Sequence, residues 1–198
     1  MSRVVVMNHV TLDGVMQSPG RPDDDTRGGF THGGWANRST SAGDAAGTAM
    51  GKRMAAGGGL GGWLFGRRSY EDILGQWNTQ GGPFKEALNN TPKYVVSTTL
   101  GEPLPWPNST LLKGDAADAV ATLKARSEGV LVIMGSGVLI GSLMAADLID
   151  EYLLMIHPLV LGTGRRLFPE GVRLPLRLTN STVTTTGMVI VTYEPASD

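Results

Sequence analysis

Apolar residues fall along this chain in short blocks, many of them β-branched, separated by glycine, proline and polar runs. Val130–Met134 is apolar at all five positions and ends at a glycine. That pattern predicts a strand buried on both faces. Arg3–Asn8, Trp63–Phe65, Lys93–Val96, Thr110–Leu112 and Asp150–Pro158 predict further strands. Between them the period changes to that of a helix. Residues 41–56 place Ala46, Met50 and Met54 on one face, with Gly47 and Gly51 weakening it. Residues after Gly66 carry Ile73, Leu74 and Trp77, and Phe84–Leu88 suffices for one helical turn. Asp115 can cap a helix from Ala116 to about Ser127, with Ala119, Val120 and Leu123 inward. Val138, Leu139, Ser142 and Leu143 mark another. Leu176–Thr186 and Gly187–Tyr193 alternate, as an antiparallel hairpin does. Strands alternating with helices, then two adjacent strands, predict an α/β domain with a mainly parallel sheet and an antiparallel C-terminal edge.

The chain's 198 residues are enough for one domain with a sizeable core. A net charge of −1 gives no reason to expect nucleic acid or an acidic membrane surface as partner. There is no cysteine, so disulfides and thiol catalysis are excluded, in agreement with a reducing, cytoplasmic setting. No apolar stretch is long enough to span a bilayer, and no secretion signal is evident. His9, His32 and His157 lack metal-ligand spacing. Asp23, Asp24 and Asp25 are consecutive and do not converge on one ion, so no metal is expected there.

Candidate chemistry collects where strands end. Gly135, Ser136 and Gly137 turn the Val130–Met134 strand into a helix whose first amides lack intrahelical partners. The spacing, with the next glycine at Gly141, is not the dinucleotide fingerprint, but it lets a diphosphate approach the backbone. Gly66, Arg67, Arg68 and Ser69 offer charge and a hydroxyl at a second junction; a helix start with solvated arginines is the alternative. Ser97, Thr98 and Thr99 offer hydroxyls at a third, either to a phosphate or ribose or as turn caps. Asp13-Gly14 is a turn signal that also holds a carboxylate at a strand end. Trp35 and Trp77 are candidate apolar walls, with a loop anchor the alternative for Trp35. His157 reads as packed. Arg165-Arg166 sit in a second glycine turn suited to a cofactor or an oligomer contact.

Three of these pieces, GRRSYE from Gly66, VSTTL from Val96 and MGSGVLIGSL from Met134, occur in an order that resembles the dihydrofolate reductase-like superfamily. Within it the chain is most similar to the C-terminal reductase domain of the bacterial riboflavin-biosynthesis deaminase–reductase. The opening VVVMNHVTLDG and the later DEYLLMIHPLVLGTGRRLFP support this, and the likeness runs from about Arg3 to Tyr193. The resemblance implies about eight strands, helices on both faces and bound NADPH. By it, Gly66, Arg67, Arg68 and Ser69 hold nucleotide phosphates. Ser97, Thr98 and Thr99 lie by the adenosine 2′-phosphate. Gly135, Ser136, Gly137, Val138 and Leu139 carry the diphosphate.

The chain also departs from that superfamily. Dihydrofolate reductases place an acid on their first helix, and here the matching region offers only Asp44, to which the role does not transfer. The expectation is an NADPH-dependent reductase of a small heterocyclic (pterin- or pyrimidine-like) or carbonyl-like compound. Asp13 is the candidate polar group near the substrate. The alternative is a nucleotide-binding protein of the same fold without catalysis. The terminal strands and the Arg165-Arg166 turn suggest a homodimer, as in the resembled group.

Overall fold

The computed structural model describes residues 1–38, 48, 49, 51, 52 and 58–196. Among these, eight strands form one sheet: β1 (Arg3–Thr11), β2 (Leu60–Gly66), β3 (Lys93–Val96), β4 (Ser109–Leu112), β5 (Val130–Met134), β6 (Glu151–His157), β7 (Leu176–Val183) and β8 (Val189–Pro195). Their order is β4-β3-β2-β5-β1-β6-β8-β7. β2 pairs in parallel with β3 and β5, and β3 with β4. β8 pairs antiparallel with β6 and β7. The α/β reading, with a parallel body and an antiparallel C-terminal edge, therefore holds. The helices are α1 (Arg67–Gln80), α2 (Pro83–Asn90), α3 (Ala116–Arg126) and α4 (Gly137–Ala145). None of these is long and apolar enough to cross a membrane.

Several boundaries differ from expectation for local reasons. β1 runs on to Thr11, and β2 begins at Leu60 inside what reads as a flexible glycine run. Those glycines serve close approach. A Cβ on Gly61 would lie 2.2 Å from the Glu128 carbonyl oxygen, and one on Gly62 2.8 Å from the Tyr94 ring. The single turn at Phe84–Leu88 is two turns, because Pro83 starts the helix with its fixed φ. The helix expected at 41–56 lies largely outside the described residues; Thr48, Ala49, Gly51 and Lys52 are described and helical.

The contacts divide the chain into two compact units. The first comprises Met1–Val5 and Met54–Asp150. Its core is the fully buried run Val130–Ile133 of β5 beside Trp63, Leu64 and Phe65 of β2; Met134, at the strand's end, is half-buried. Tyr70, Leu74, Leu88, Val120 and Leu123 supply the helix faces in this unit's core. Asp115 caps α3 as expected, accepting from the amides of Ala117 and Asp118 at 2.8 and 3.1 Å. The second unit comprises Val6–Arg53 and Glu151–Asp198. β6 is buried at six of seven positions, and a small cluster of Val15, Phe30, Trp35 and Ala36 packs with Leu159 and Leu161. β7 is exposed at seven of eight positions and forms the sheet's edge.

Candidate functional site

In the first unit, two of the predicted pieces are stitched to each other. The Ser136 hydroxyl oxygen accepts from the Gly66 amide at 2.9 Å, and the Ser69 hydroxyl oxygen accepts from the Ser136 amide at 2.7 Å. These bonds hold the β2–α1 turn against the β5–α4 turn. Gly135 has φ +68°, and a Cβ there would sit 2.9 Å from Ser69 Oγ. Ser136 is left-handed too, at φ 58°. A non-glycine residue in that region stores strain, and the two serine bonds fix it there. The turn thus delivers the amides of Gly137, Val138 and Leu139, which have no acceptor within their own helix. Val138 is 75% exposed at this edge. Gly141, by contrast, has open space where a Cβ would stand and plays no part in the turn.

The third piece meets the first through Arg67. Its Nη1 donates to the Thr99 hydroxyl at 2.9 Å, and its Nε donates to Glu71 at 3.0 Å. Ser97 is a buried turn cap, accepting from the amides of Thr99 and Leu100 at 3.1 Å each. Thr98 and Arg68 are exposed. The first unit therefore gathers a guanidinium, a threonine hydroxyl and a set of helix-start amides, while Ser69, Ser97 and Ser136 position the turns that carry them.

In the second unit, Asp13 closes a clasp. Its Oδ1 accepts from the Thr11 hydroxyl at 2.6 Å and from the Leu161 amide at 3.2 Å. Its Oδ2 accepts from the Gly162 amide at 2.8 Å, and Arg166 Nε donates to its carbonyl at 3.0 Å. Thr11 in turn accepts from the Val15 amide at 2.9 Å. The Thr11 bond first, then the Gly162 and Leu161 amides, hold the Asp13 carboxyl below its ordinary range. The group is therefore ionised at neutral pH and has no proton to donate.

Trp35 is an anchor. It is 2% exposed, its indole donates to the Gln17 carbonyl at 2.7 Å, and it lies edge-on to His157 at 5.2 Å. Trp77 sits on α1 and packs edge-on against Phe84 of α2 at 4.8 Å, joining two helices. His157 Nε2 and His9 Nδ1 share a hydrogen bond at 2.8 Å. Burial, then the charge of His157, push His9 down to about 4; burial pushes His157 down. The pair is neutral at pH 7, as packed histidines are. Among the described residues no group of His, Cys, Asp or Glu could hold a metal ion. Asp44 lies outside the described residues.

Sequence reasoning missed Gln17 and Lys93, and met Thr11 only as the first residue of the threonine-x-aspartate-glycine turn in the opening VVVMNHVTLDG. Thr11 stands two residues before Asp13, and its threonine-x-aspartate spacing is a recognisable turn signal. Gln17 and Lys93 are buried, and neither carries a periodic signal.

The family model for the RibD C-terminal domain matches residues 3–190. The uncharacterized protein YyaP of Bacillus subtilis (strain 168) is 31% identical over 138 residues, 66% of this chain and 71% of that protein. A Shewanella sp. PV-4 structure assigned to riboflavin biosynthesis superposes with a TM-score of 0.67 at 24% identity, over 98% of this chain and 99% of that one. The dihydrofolate reductase of Enterococcus faecalis, complexed with NADP(H), superposes with a TM-score of 0.59 at 14% identity, over 98% and 97%.

Proposed function

We propose, from the premise that this chain belongs to the RibD C-terminal domain family, that it is an NADPH-dependent reductase of a small heterocyclic or carbonyl-like compound. The observation that carries the reading is the stitched pair of turns, in which Ser69 and Ser136 hold the start of α4 beside Gly66. Amides at a helix start bind a diphosphate by direct donation and by the helix dipole. Gly137, Val138 and Leu139 donate to the diphosphate, with Gly135 letting it approach. Arg67 and Thr99 take the adenosine 2′-phosphate, and Arg68 and Thr98 lie beside them at the surface. Arg67 supplies a planar fork, and Thr99 already meets it at 2.9 Å. A charged hydrogen bond contributes about 1.5–3 kcal/mol, so two such contacts favour NADPH over NADH by roughly a hundredfold or more.

NADPH, when bound, supplies the hydride. The chain supplies position. Asp13 holds the Thr11–Val15 turn to the Leu161–Gly162 turn, so its role is to position the loops of the second unit. Any proton the reaction needs comes from a source other than the ionised Asp13 carboxylate. That same ionisation favours the second reading, a nucleotide-binding protein of this fold without turnover. NADPH oxidation followed against a panel of pterins, flavins and quinones separates the two. Turnover of one panel member supports the reductase; tight NADPH binding with no turnover across the panel supports the second reading.

A further inference from the structure

Helix α1 opens against its own dipole. Arg67 and Arg68 take its first two positions, no acid lies in the first turn, and no side chain caps its start. Cations at the positive end of a helix are unfavourable, and anions there are favoured. The first carboxylates along the helix are Glu71 and then Asp72. Glu71 is exposed, and its Oε1 accepts from Arg67 Nε at 3.0 Å. Nη1 of the same guanidinium donates to the Thr99 hydroxyl at 2.9 Å.

The Arg67–Glu71 pair does little for folding. The two side chains are 47% and 42% exposed, and an exposed pair adds almost nothing to stability. An arginine four residues before its glutamate is also the weaker orientation of such a pair. Its consequence falls on what Arg67 can bind. A guanidinium grips an oxyanion with two parallel donors along one edge. Glu71 takes the Nε end, so the edge left for a phosphate is that of Nη1 and Nη2, where Thr99 stands. A phosphate on that edge has the Glu71 carboxylate on the far side of one flat group. The carboxylate offsets the charge of Arg67 and repels the phosphate across it.

We propose that Glu71 sets the cofactor preference of this site, holding it below what Arg67 and Thr99 would give alone. The adenosine 2′-phosphate of NADPH, with nearly two negative charges, meets that repulsion in full. NADH brings a neutral hydroxyl to the same place and does not meet it. The chain thereby favours NADPH while still admitting NADH. This rests on the reading that Arg67 and Thr99 take the 2′-phosphate.

The test is calorimetric titration of the full chain with NADPH and with NADH, for the native protein, Glu71→Gln and Asp72→Asn. Glutamine keeps an oxygen for Arg67 Nε and removes only the charge. Glu71→Gln should tighten NADPH by roughly three- to tenfold, the effect of one screened charge on a phosphate, and leave NADH unchanged. Added salt should shrink that gain, because screening already weakens the repulsion in the native protein. Asp72→Asn removes the same formal charge one position on and should move NADPH less. If Glu71→Gln shifts the two nucleotides together, or weakens NADPH, the proposal is overturned and Glu71 does no more than orient Arg67. An equal gain from Asp72→Asn overturns it too, since the effect would then belong to the general charge of α1. Each of those results leaves the cofactor reading standing. Binding of neither nucleotide by any of the three proteins would remove the cofactor reading and the role of Glu71 with it.

Discussion

Asp13 illustrates how a residue's partners decide its chemistry. Its two oxygens accept from one hydroxyl and two amides, a set that asks for a charged acceptor. Asp13→Asn turns one oxygen into a donor facing an N–H, and is expected to cost about 1.5–3 kcal/mol of stability. Amide exchange at Leu161 and Gly162 should quicken, and kcat/KM should fall roughly tenfold with NADPH affinity little changed, because the loops lose their positions. Unchanged exchange would contradict the clasp. The sequence offers Asp13 as a turn former or a carboxylate near substrate; the geometry makes it a turn former with a long-range partner 148 residues away. No local pattern contains that partner. The histidine pair makes a pH prediction. His9 is lowered to about 4, so between pH 6.5 and 4 the unfolded chain binds a proton that the folded chain does not. Stability is therefore lost as pH falls through that window, before Asp13 titrates. His157→Gln keeps a polar atom for His9 and removes one titrating group, and should flatten that limb of a melting-temperature profile.

At the scale of elements, periodicity is a good guide where packing agrees with it. Lys93–Val96, Val130–Met134 and the Asp115-capped α3 lie where the alternation of apolar residues, glycine and a capping acid puts them. It misleads at Leu60–Gly62, where glycine density suggests flexibility but close backbone approach demands glycine. Lys93 is invisible for a related reason. A lysine that opens a strand reads as solvated, yet this one is fully buried and donates to the Leu88 and Thr91 carbonyls at 2.5 and 2.8 Å. It neutralises the exposed carbonyl end of α2, and no side-chain acceptor in the sequence announces that role. Lys93→Met keeps the apolar stem and strips these bonds, and should cost about 1–3 kcal/mol in thermal unfolding. Burial lowers Lys93 to about 8, so the folded chain gives up this proton before the unfolded one does. The Lys93 contribution should make stability rise between about pH 8 and 10.5, and the rise should be absent in Lys93→Met. The serine stitches are equally hidden: the sequence presents Ser69 and Ser136 as phosphate donors, and their oxygens are first of all acceptors for turn amides.

For the whole molecule, the parallel body and antiparallel edge are legible because strand direction follows from where helices separate strands and where they do not. The edge also carries the assembly prediction. β7 is an exposed, β-branched edge strand, with Leu178 and Val183 half or more exposed. Such edges pair or aggregate unless protected. Light scattering at micromolar concentration should give twice the 20.9 kDa of one chain; the mass of a single chain would contradict the homodimer. The central claim is the cofactor, and calorimetric titration of the purified chain with NADPH and with NADH tests it most directly. NADPH should bind more tightly than NADH by roughly a hundredfold or more, and Arg67→Ala should narrow that gap by weakening NADPH alone. Equal affinity for the two nucleotides, or binding of neither, would contradict the account.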